Sequence, residues 1–358
     1  MGPIQGSAER PRQAMFHSHA MKYVFGPVPS RRLGQSLGVD PIALKTCNWN
    51  CVYCQLGRSR PLVNERRDYF PPDEIVAEVE QALHAHGPEG IDWITFLGSG
   101  EPLLHAHLGD MLRKVKALTP LPVAVLTNGS LLYLPAVRDE LRVVDAVLPS
   151  LDAGTPELYR RINRPHPKLT YERLIGGLIA FGQEYEGNLW LEVMLMRGVN
   201  DTEGALRDIA AQLTRIRPSE IHINLPTRPP AEVWLEPPDQ EGLMRAIAIL
   251  EQVAPVRAVE SVTGTVELTA SDTLADAILA VITRHPLHEE ELERTLAHCD
   301  AQQVHAALAE LEATGRAQRV TRYGKRFWTA AASYFPEAPA AGNKATIQRR
   351  RRGVEDSD

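Results

Sequence analysis

The sequence is poor in cysteine, has no long apolar run and carries no dominant sign of charge. Four cysteines in 358 residues cannot staple a chain of this length. Three of them fall within the eight residues from Cys47 to Cys54, so metal ligation in a reducing compartment fits better than a disulfide framework. No apolar run approaches the roughly 18 residues of a membrane span, so no membrane partner is expected. The first residues lack the apolar segment of a secretory signal, which makes the cytoplasm the expected location. Met15 and Met21 both precede the first strand-like stretch, Tyr23 to Phe25, so residues 1–20 are expected to be a disordered N-terminus. With 39 Lys and Arg against 45 Asp and Glu, the net charge is -6, and any nucleic acid would have to be met locally.

The length suits one barrel-sized domain and a smaller module. From Leu33 to Val266 short apolar runs alternate with amphipathic stretches of helical period, the pattern of parallel βα units. Strands are expected at Ser36–Ile42, Trp93–Leu97, Val123–Leu126, Val144–Leu148, Leu189–Met196 and Glu220–Leu225. Helices are expected at Asp73–His86, Leu104–Ala117, Tyr171–Tyr185, Glu203–Ile216 and Asp239–Val253. Pro71 and Pro72 before Asp73 and Glu74 mark the start of the first helix. A polar or glycine-containing cluster follows each strand, and in a βα barrel those loops gather on one face. The fold class is therefore α/β, a partial (βα)6 TIM-like barrel over residues 21–265, followed by a small α+β domain.

That second domain is expected over residues 273–335. Leu274, Ile278 and Val281 mark one helix, Leu287 to Leu296 a second, and Val304, Leu308 and Leu311 a third that Gly315 stops. Arg319–Tyr323 and Arg326–Thr329 flank Gly324 as a hairpin does, which makes the whole a winged helix-turn-helix pattern. The Ala-, Pro- and charge-rich tail, 336–358, is expected to be disordered.

Cys47, Cys51 and Cys54 stand in the spacing C-x3-C-x2-C on the loop after the first expected strand. Clustered thiolates suit one soft metal centre. A structural zinc site needs a fourth ligand, and an electron-transfer cluster takes four cysteines. Cys299 is far along the chain, in the second module, where a half-buried structural thiol is the simpler reading. Three thiolates on a cubane leave one iron open to another ligand.

The spacing, with Tyr53 just before the last cysteine, resembles the signature of the radical S-adenosylmethionine (SAM) superfamily. Gly98-Ser99-Gly100-Glu101-Pro102 is similar to that superfamily's Gly-Gly-Glu-Pro motif at the SAM amino group, and Thr127-Asn128-Gly129 to its polar strand end near SAM. Ser150-Leu151-Asp152-Ala153 resembles its ribose motif, and the segment through Met196 and Asn200 its adenine-contacting segment. The resemblance implies a [4Fe-4S] cluster on Cys47, Cys51 and Cys54, whose open iron chelates SAM. It also implies reductive cleavage of SAM to a 5′-deoxyadenosyl radical that abstracts hydrogen from a substrate. It further implies SAM contacts at Tyr53, Gly98, Ser99, Gly100, Glu101, Asn128, Ser150, Asp152, Met196 and Asn200, and an electron donor such as ferredoxin or flavodoxin.

Phe25 to Gly34, Ser36 to Asp40 and Cys51 to Gly57 resemble the Fe-S oxidoreductase group related to the enzyme that builds the wyosine base on tRNA. The archaeal enzyme of that kind has a second set of cysteines, and this chain has no spare set. Outside the SAM motifs, Arg31, Arg32 and Arg228 are candidates for an anionic substrate group, and Trp49 and Trp234 for walls of the site. Arg316, Arg319, Arg322, Lys325 and Arg326 would make a basic wing for a nucleic-acid partner. Against this, Glu310 and Glu312 lie on the third helix with Gln302, Gln303 and His305, and acids there repel phosphate, so a protein-docking or purely structural role is an equal candidate. The alternative to an enzyme is a winged-helix nucleic-acid-binding regulator that uses the three cysteines as a metal or redox sensor.

Overall fold

Eight strands lie side by side in chain order: β1 (Val24–Ser30), β2 (Gly34–Val39), β3 (Trp93–Phe96), β4 (Val123–Thr127), β5 (Ala146–Pro149), β6 (Asn188–Met194), β7 (Glu220–Asn224) and β8 (Val256–Ala258). This is a computed structural model that describes residues 21–30, 32–87, 89–258, 273–296 and 299–337. The expectations for residues 1–20, for Arg31 and for the tail from 338 onward lie outside the described residues. Strands β2 to β8 run parallel, and β1 is antiparallel to β2. No ladder joins β1 to β8 among the described residues.

The six expected strands are β2 to β7. Of the flanking two, β1 was legible only at its start, as the strand-like stretch Tyr23 to Phe25, because Pro27 and Pro29 follow, and β8, three residues long with Arg257 in the middle, was not legible. Seven helices follow the strands: α1 (Pro72–His86), α2 (Leu108–Leu118), α3 (Pro135–Leu141), α4 (Pro156–Ile162), α5 (Tyr171–Glu184), α6 (Glu203–Ile216) and α7 (Gln240–Leu250). Two of them, α3 and α4, are seven-residue helices too short to show a periodicity. The α2 start is later than expected, because Pro102–Leu104 turns off first as a 3-10 helix. Side chains of Thr155, Thr170, Thr202 and Asp239 accept N–H groups at the starts of α4 to α7, caps worth about 1 kcal/mol each.

The pleat divides each strand between two environments. Ile94 and Phe96, Val123 and Val125, Leu191 and Val193, and Ile221 and Ile223 are fully buried in one core with Ile75, Val79, Leu112, Leu178, Phe181, Leu206 and Leu213 of the helices. The alternate residues, among them Ser36, Thr95, Leu126, Glu192, Met194 and Asn224, line a cavity inside the sheet's curve. At its base the rings of Trp93 and Trp190 sit 5.8 Å apart over Leu33, Ala124, Ala146 and Leu148.

The C-terminal unit contains α8 (Leu274–Arg284), β9 (Leu287–His288), α9 (Glu289–Thr295), α10 (Ala301–Ala313), β10 (Ala317–Arg322) and β11 (Lys325–Ala330). The stretch expected as a second helix from Leu287 opens instead as β9, which pairs with Trp328 and Phe327 of β11. Tyr323 and Gly324 both have positive φ, 53° and 70°, and close the β10–β11 hairpin in two residues. Ile278, Ile282, Leu292, Leu308, Leu311 and Trp328 form a core of its own, against which Cys299 packs.

The basic wing expected here is largely consumed within the protein. Arg316 pairs with Asp276 and Arg319 with Glu312, each at 2.5 Å. Arg322 is buried and donates to the carbonyls of Pro230 and Pro336. Only Lys325 and Arg326 of the five are exposed at the hairpin with no ion pair among the described residues. Two adjacent cations at a hairpin tip are a weak phosphate track, because counterion release scales with the number of phosphates neutralised.

A candidate cofactor cavity at the strand ends

The loop after β2 carries the cysteines, and the loop after β3 lies directly on it. Lys45 N–H donates to Ser99 O at 2.6 Å, and Glu101 N–H donates to Thr46 O at 2.9 Å. Between those two bonds sits Gly100, where any Cβ would lie 1.8 Å from Thr46 O. Only a residue without a side chain lets the two backbones approach this closely.

Cys47, Cys51 and Cys54 are all partly exposed and all line one cavity of 650 Å³, together with Tyr53, Gly98, Ser99, Gly100, Glu101, Asn128 and Ser150. Burial pushes the Cys47 thiol up to about 12 and the Cys51 thiol well above its ordinary value. Donors nevertheless face the sulfurs. Lys45 Nζ is 3.1 Å from Cys54 Sγ, Trp49 N is 3.4 Å from Cys47 Sγ, and Asn163 Nδ2 is 3.7 Å from Cys51 Sγ. A metal that displaces the thiol protons would leave thiolates already provided with hydrogen-bond donors. Among the described residues no three His, Cys, Asp or Glu side chains converge as one metal ion requires. A cubane asks for something different, three thiolates each on its own iron, and the residues present fit that demand.

Glu101 is 1% exposed, and its carboxylate accepts from Leu103 N, Thr127 Oγ1 and Asn128 N at 2.9, 2.6 and 2.7 Å. Burial raises its pKa to about 7, with these three hydrogen bonds opposing the rise. Asn128 in turn donates to Asn48 Oδ1 at 2.8 Å. The Thr127-Asn128-Gly129 stretch thus holds the glutamate as much as it borders the cavity.

Three of the expected SAM contacts do not line the cavity. Asp152 is buried and its carboxylate is taken by Tyr53 Oη at 2.6 Å, Asn163 Nδ2 at 2.7 Å and Met194 N at 2.9 Å. Asn200 is fully buried and braces the turn, with Oδ1 accepting from Met196 N and Nδ2 donating to Asp152 O and Met194 O. Met196 is fully buried in the core, and Met194, two residues earlier, lines the cavity in its place.

Of the candidate substrate residues, Arg228 lines the cavity and pairs with Glu291 at 2.6 Å. Arg32 lines it deeper, ion-paired with Glu192. Trp49 lines it with its ring 5.4 Å from that of Tyr159, whereas Trp234 is half-buried in the core and does not. Lys45, Asn48 and Asn163 were missed. Lys45 had a signal, being the cation two residues before the first cysteine, but Asn163 comes from the far end of α4, and only the fold brings it to Cys51.

The C-terminal unit supplies the outer wall. Val281, His285, Leu287, Glu291 and Arg294 line the same cavity as the cysteines.

The Radical SAM superfamily model matches residues 42–209, the span from the cysteine loop to the middle of α6. The chain is 34% identical over 279 residues to UPF0026 protein MJ1312 of Methanocaldococcus jannaschii, covering 77% of this chain and 86% of that protein. It is 42% identical over 207 residues to a protein named GTPase Obg from Brachyspira hyodysenteriae, covering 58% of this chain and 30% of that much longer one. A solved structure of TYW1 with a lysine-pyruvate adduct bound matches 61% of this chain and 74% of its own at 17% identity, with a TM-score of 0.48, too loose a likeness to say more. On its likeness to the UPF0026 protein, the chain belongs to the UPF0026 family and carries a Radical SAM superfamily domain over residues 42–209.

Proposed function

We propose that Cys47, Cys51 and Cys54 hold a [4Fe-4S] cluster and that the chain cleaves SAM reductively to act on a substrate admitted between the barrel mouth and the C-terminal unit. The observation that carries this reading is the shared cavity: the three thiols, Tyr53 and the Gly98–Glu101 loop face one space of 650 Å³. When bound, the cluster supplies an open iron for SAM and the electron that splits the sulfonium into methionine and a 5′-deoxyadenosyl radical.

The chain's own residues do the rest. Glu101 presents a carboxylate to the SAM amino group, and Gly98, Ser99 and Gly100 offer backbone close to it. Asn128 and Ser150 offer a carboxamide and a hydroxyl. Asp152, Met196 and Asn200 act from behind, orienting Tyr53 and the β6 end rather than touching SAM. The reductant in this reading is a small electron carrier such as ferredoxin or flavodoxin.

The C-terminal unit, read as a winged-helix module over residues 273–335, encloses substrate in this proposal rather than binding nucleic acid. Internal pairing of Arg316, Arg319 and Arg322 supports that choice. The test is anaerobic reconstitution with iron and sulfide, then assay for 5′-deoxyadenosine from SAM and dithionite. Bound iron with violet absorbance and SAM turnover are expected, both lost in Cys51→Ala. Absence of iron in the reconstituted wild type, or turnover that survives Cys51→Ala, would overturn the reading.

A further inference from the structure

The end of α8 is wired into both cofactor loops. Asp40, at the end of β2 and 4% exposed, accepts Ser99 N–H at 3.0 Å and Ser99 Oγ–H at 2.5 Å, so it fixes the loop that carries Glu101. Its own loop adds a longer bond from Ile42 N at 3.4 Å. The cation on that carboxylate comes from the C-terminal unit: Arg284 Nε donates to Asp40 Oδ2 at 3.2 Å. The Arg284 guanidinium also lies 4.9 Å over the Phe25 ring and donates to Lys22 O at 3.3 Å. Its backbone carbonyl accepts from Gln55 Nε2 at 2.9 Å, and Gln55 is the residue after Cys54. A single residue of α8 therefore touches the SAM-loop anchor through its side chain and the cysteine loop through its backbone.

The far end of the same unit holds the cysteine loop from another direction. Arg58 N–H donates to Tyr334 O at 2.8 Å, and the Arg60 guanidinium lies 3.9 Å over the Tyr334 ring. Gly57 has φ +76°, and a Cβ there would lie 2.3 Å from Tyr334 O. The chain between Cys54 and Arg60 is thus gripped on two sides by residues more than 200 positions away in sequence.

We infer that the C-terminal unit is a brace of the cofactor site and that Arg284 is the positioning residue through which its docking sets the SAM-binding loop. A buried carboxylate that loses its cation is left with an uncompensated charge, so the loop that Asp40 anchors should loosen. The inference rests on the reading of the cavity as a SAM site, but its structural half can be measured without SAM.

The experiment uses full-length wild type, Arg284→Met, Arg284→Lys, Asp40→Asn and Arg319→Ala. Hydrogen exchange of the metal-free chains is followed at peptides spanning Gly98–Glu101 and Cys54–Arg60, and SAM dissociation constants are measured by equilibrium dialysis on the reconstituted chains. In Arg284→Met the Gly98–Glu101 amides exchange several-fold faster and SAM binds about tenfold more weakly, while α10 stays protected. Arg284→Lys recovers most of both effects, and Asp40→Asn moves both in the same direction as Arg284→Met, which keeps the test open should the methionine variant fail to fold. Arg319→Ala, whose pair with Glu312 faces solvent, changes neither. Unaltered exchange and affinity in Arg284→Met, or an equal loss in Arg319→Ala, overturns the inference. A wild type that binds no SAM sinks the cavity reading instead, and the exchange data then decide the brace alone.

Discussion

At the scale of single residues, Glu101 shows how burial and hydrogen bonding set a working ionisation. Removing a carboxylate from water raises its pKa, while three N–H and O–H donors pull it back, and the balance is about 7. Below that value the group is a neutral acid, and above it an anion suited to the amino group of SAM. SAM affinity is therefore expected to tighten as pH rises through about 7, measured as the dissociation constant from about pH 6 to 8.5. Glu101→Gln is expected to weaken SAM about ten- to hundredfold, in keeping with a charge-assisted hydrogen bond of about 1.5–3 kcal/mol. It should also flatten the pH step. A step of unchanged size in the glutamine variant would assign the titration to another group. The glutamate stood out in the sequence because Gly98–Pro102 resembles the superfamily's Gly-Gly-Glu-Pro motif, although a turn with a helix-capping acid reads the same way, and Glu101 does accept Leu103 N at the start of the 3-10 helix. Its donors Thr127 and Asn128 did not, since they reach it from the next strand end.

At the scale of elements, the approach of the β2 and β3 loops leaves room for no side chain at Gly100. Gly100→Ala puts a methyl on the Thr46 carbonyl, and the loops must part at a cost of about 1–3 kcal/mol. Lower iron content after reconstitution and a reduced melting temperature are the expected readouts. At Gly176, in the middle of α5, a Cβ would meet nothing within 4 Å, so Gly176→Ala should raise stability by about 0.5–1 kcal/mol, read as a higher melting temperature. A helix glycine and a loop glycine look alike in a sequence, and only the neighbouring backbone tells them apart. The same limit hid α3 and α4, because seven residues are too few to establish a helical period. Longer elements such as α5 and α6 were legible almost to the residue, because each combines a threonine cap with a full amphipathic run.

At the scale of the whole molecule, the sequence leaves the C-terminal unit open between a nucleic-acid partner and a protein-docking or structural role, and in the structure the unit lines the cavity. Arg316 and Arg319 are paired with Asp276 and Glu312, Arg322 donates to the carbonyls of Pro230 and Pro336, and α9 and α10 present Glu289, Glu293, Glu310 and Glu312. Full-length protein is expected to bind a fluorescent DNA duplex or a tRNA only weakly at about 150 mM salt, in the range of non-specific affinities of about 10⁻⁴ to 10⁻⁶ M. Anisotropy titration that gave nanomolar binding with a steep salt slope would restore the nucleic-acid reading. Among the described residues no helix is long and apolar enough to cross a membrane.

The sequence by itself determined the local chemistry: three thiols in one turn of loop, a glutamate after the next strand, and the period of the elements that carry them. Those are properties of spacing along the chain, and spacing is all that a loop needs to gather its own ligands. Which loops face one another, that Asp152 and Asn200 stand behind the cavity rather than in it, and that Arg284 reaches Asp40 across 244 positions were decided by the tertiary structure. The physical reason is that buried ion pairs and close backbone approaches satisfy whatever group the fold delivers, and no pattern in the chain names that partner in advance.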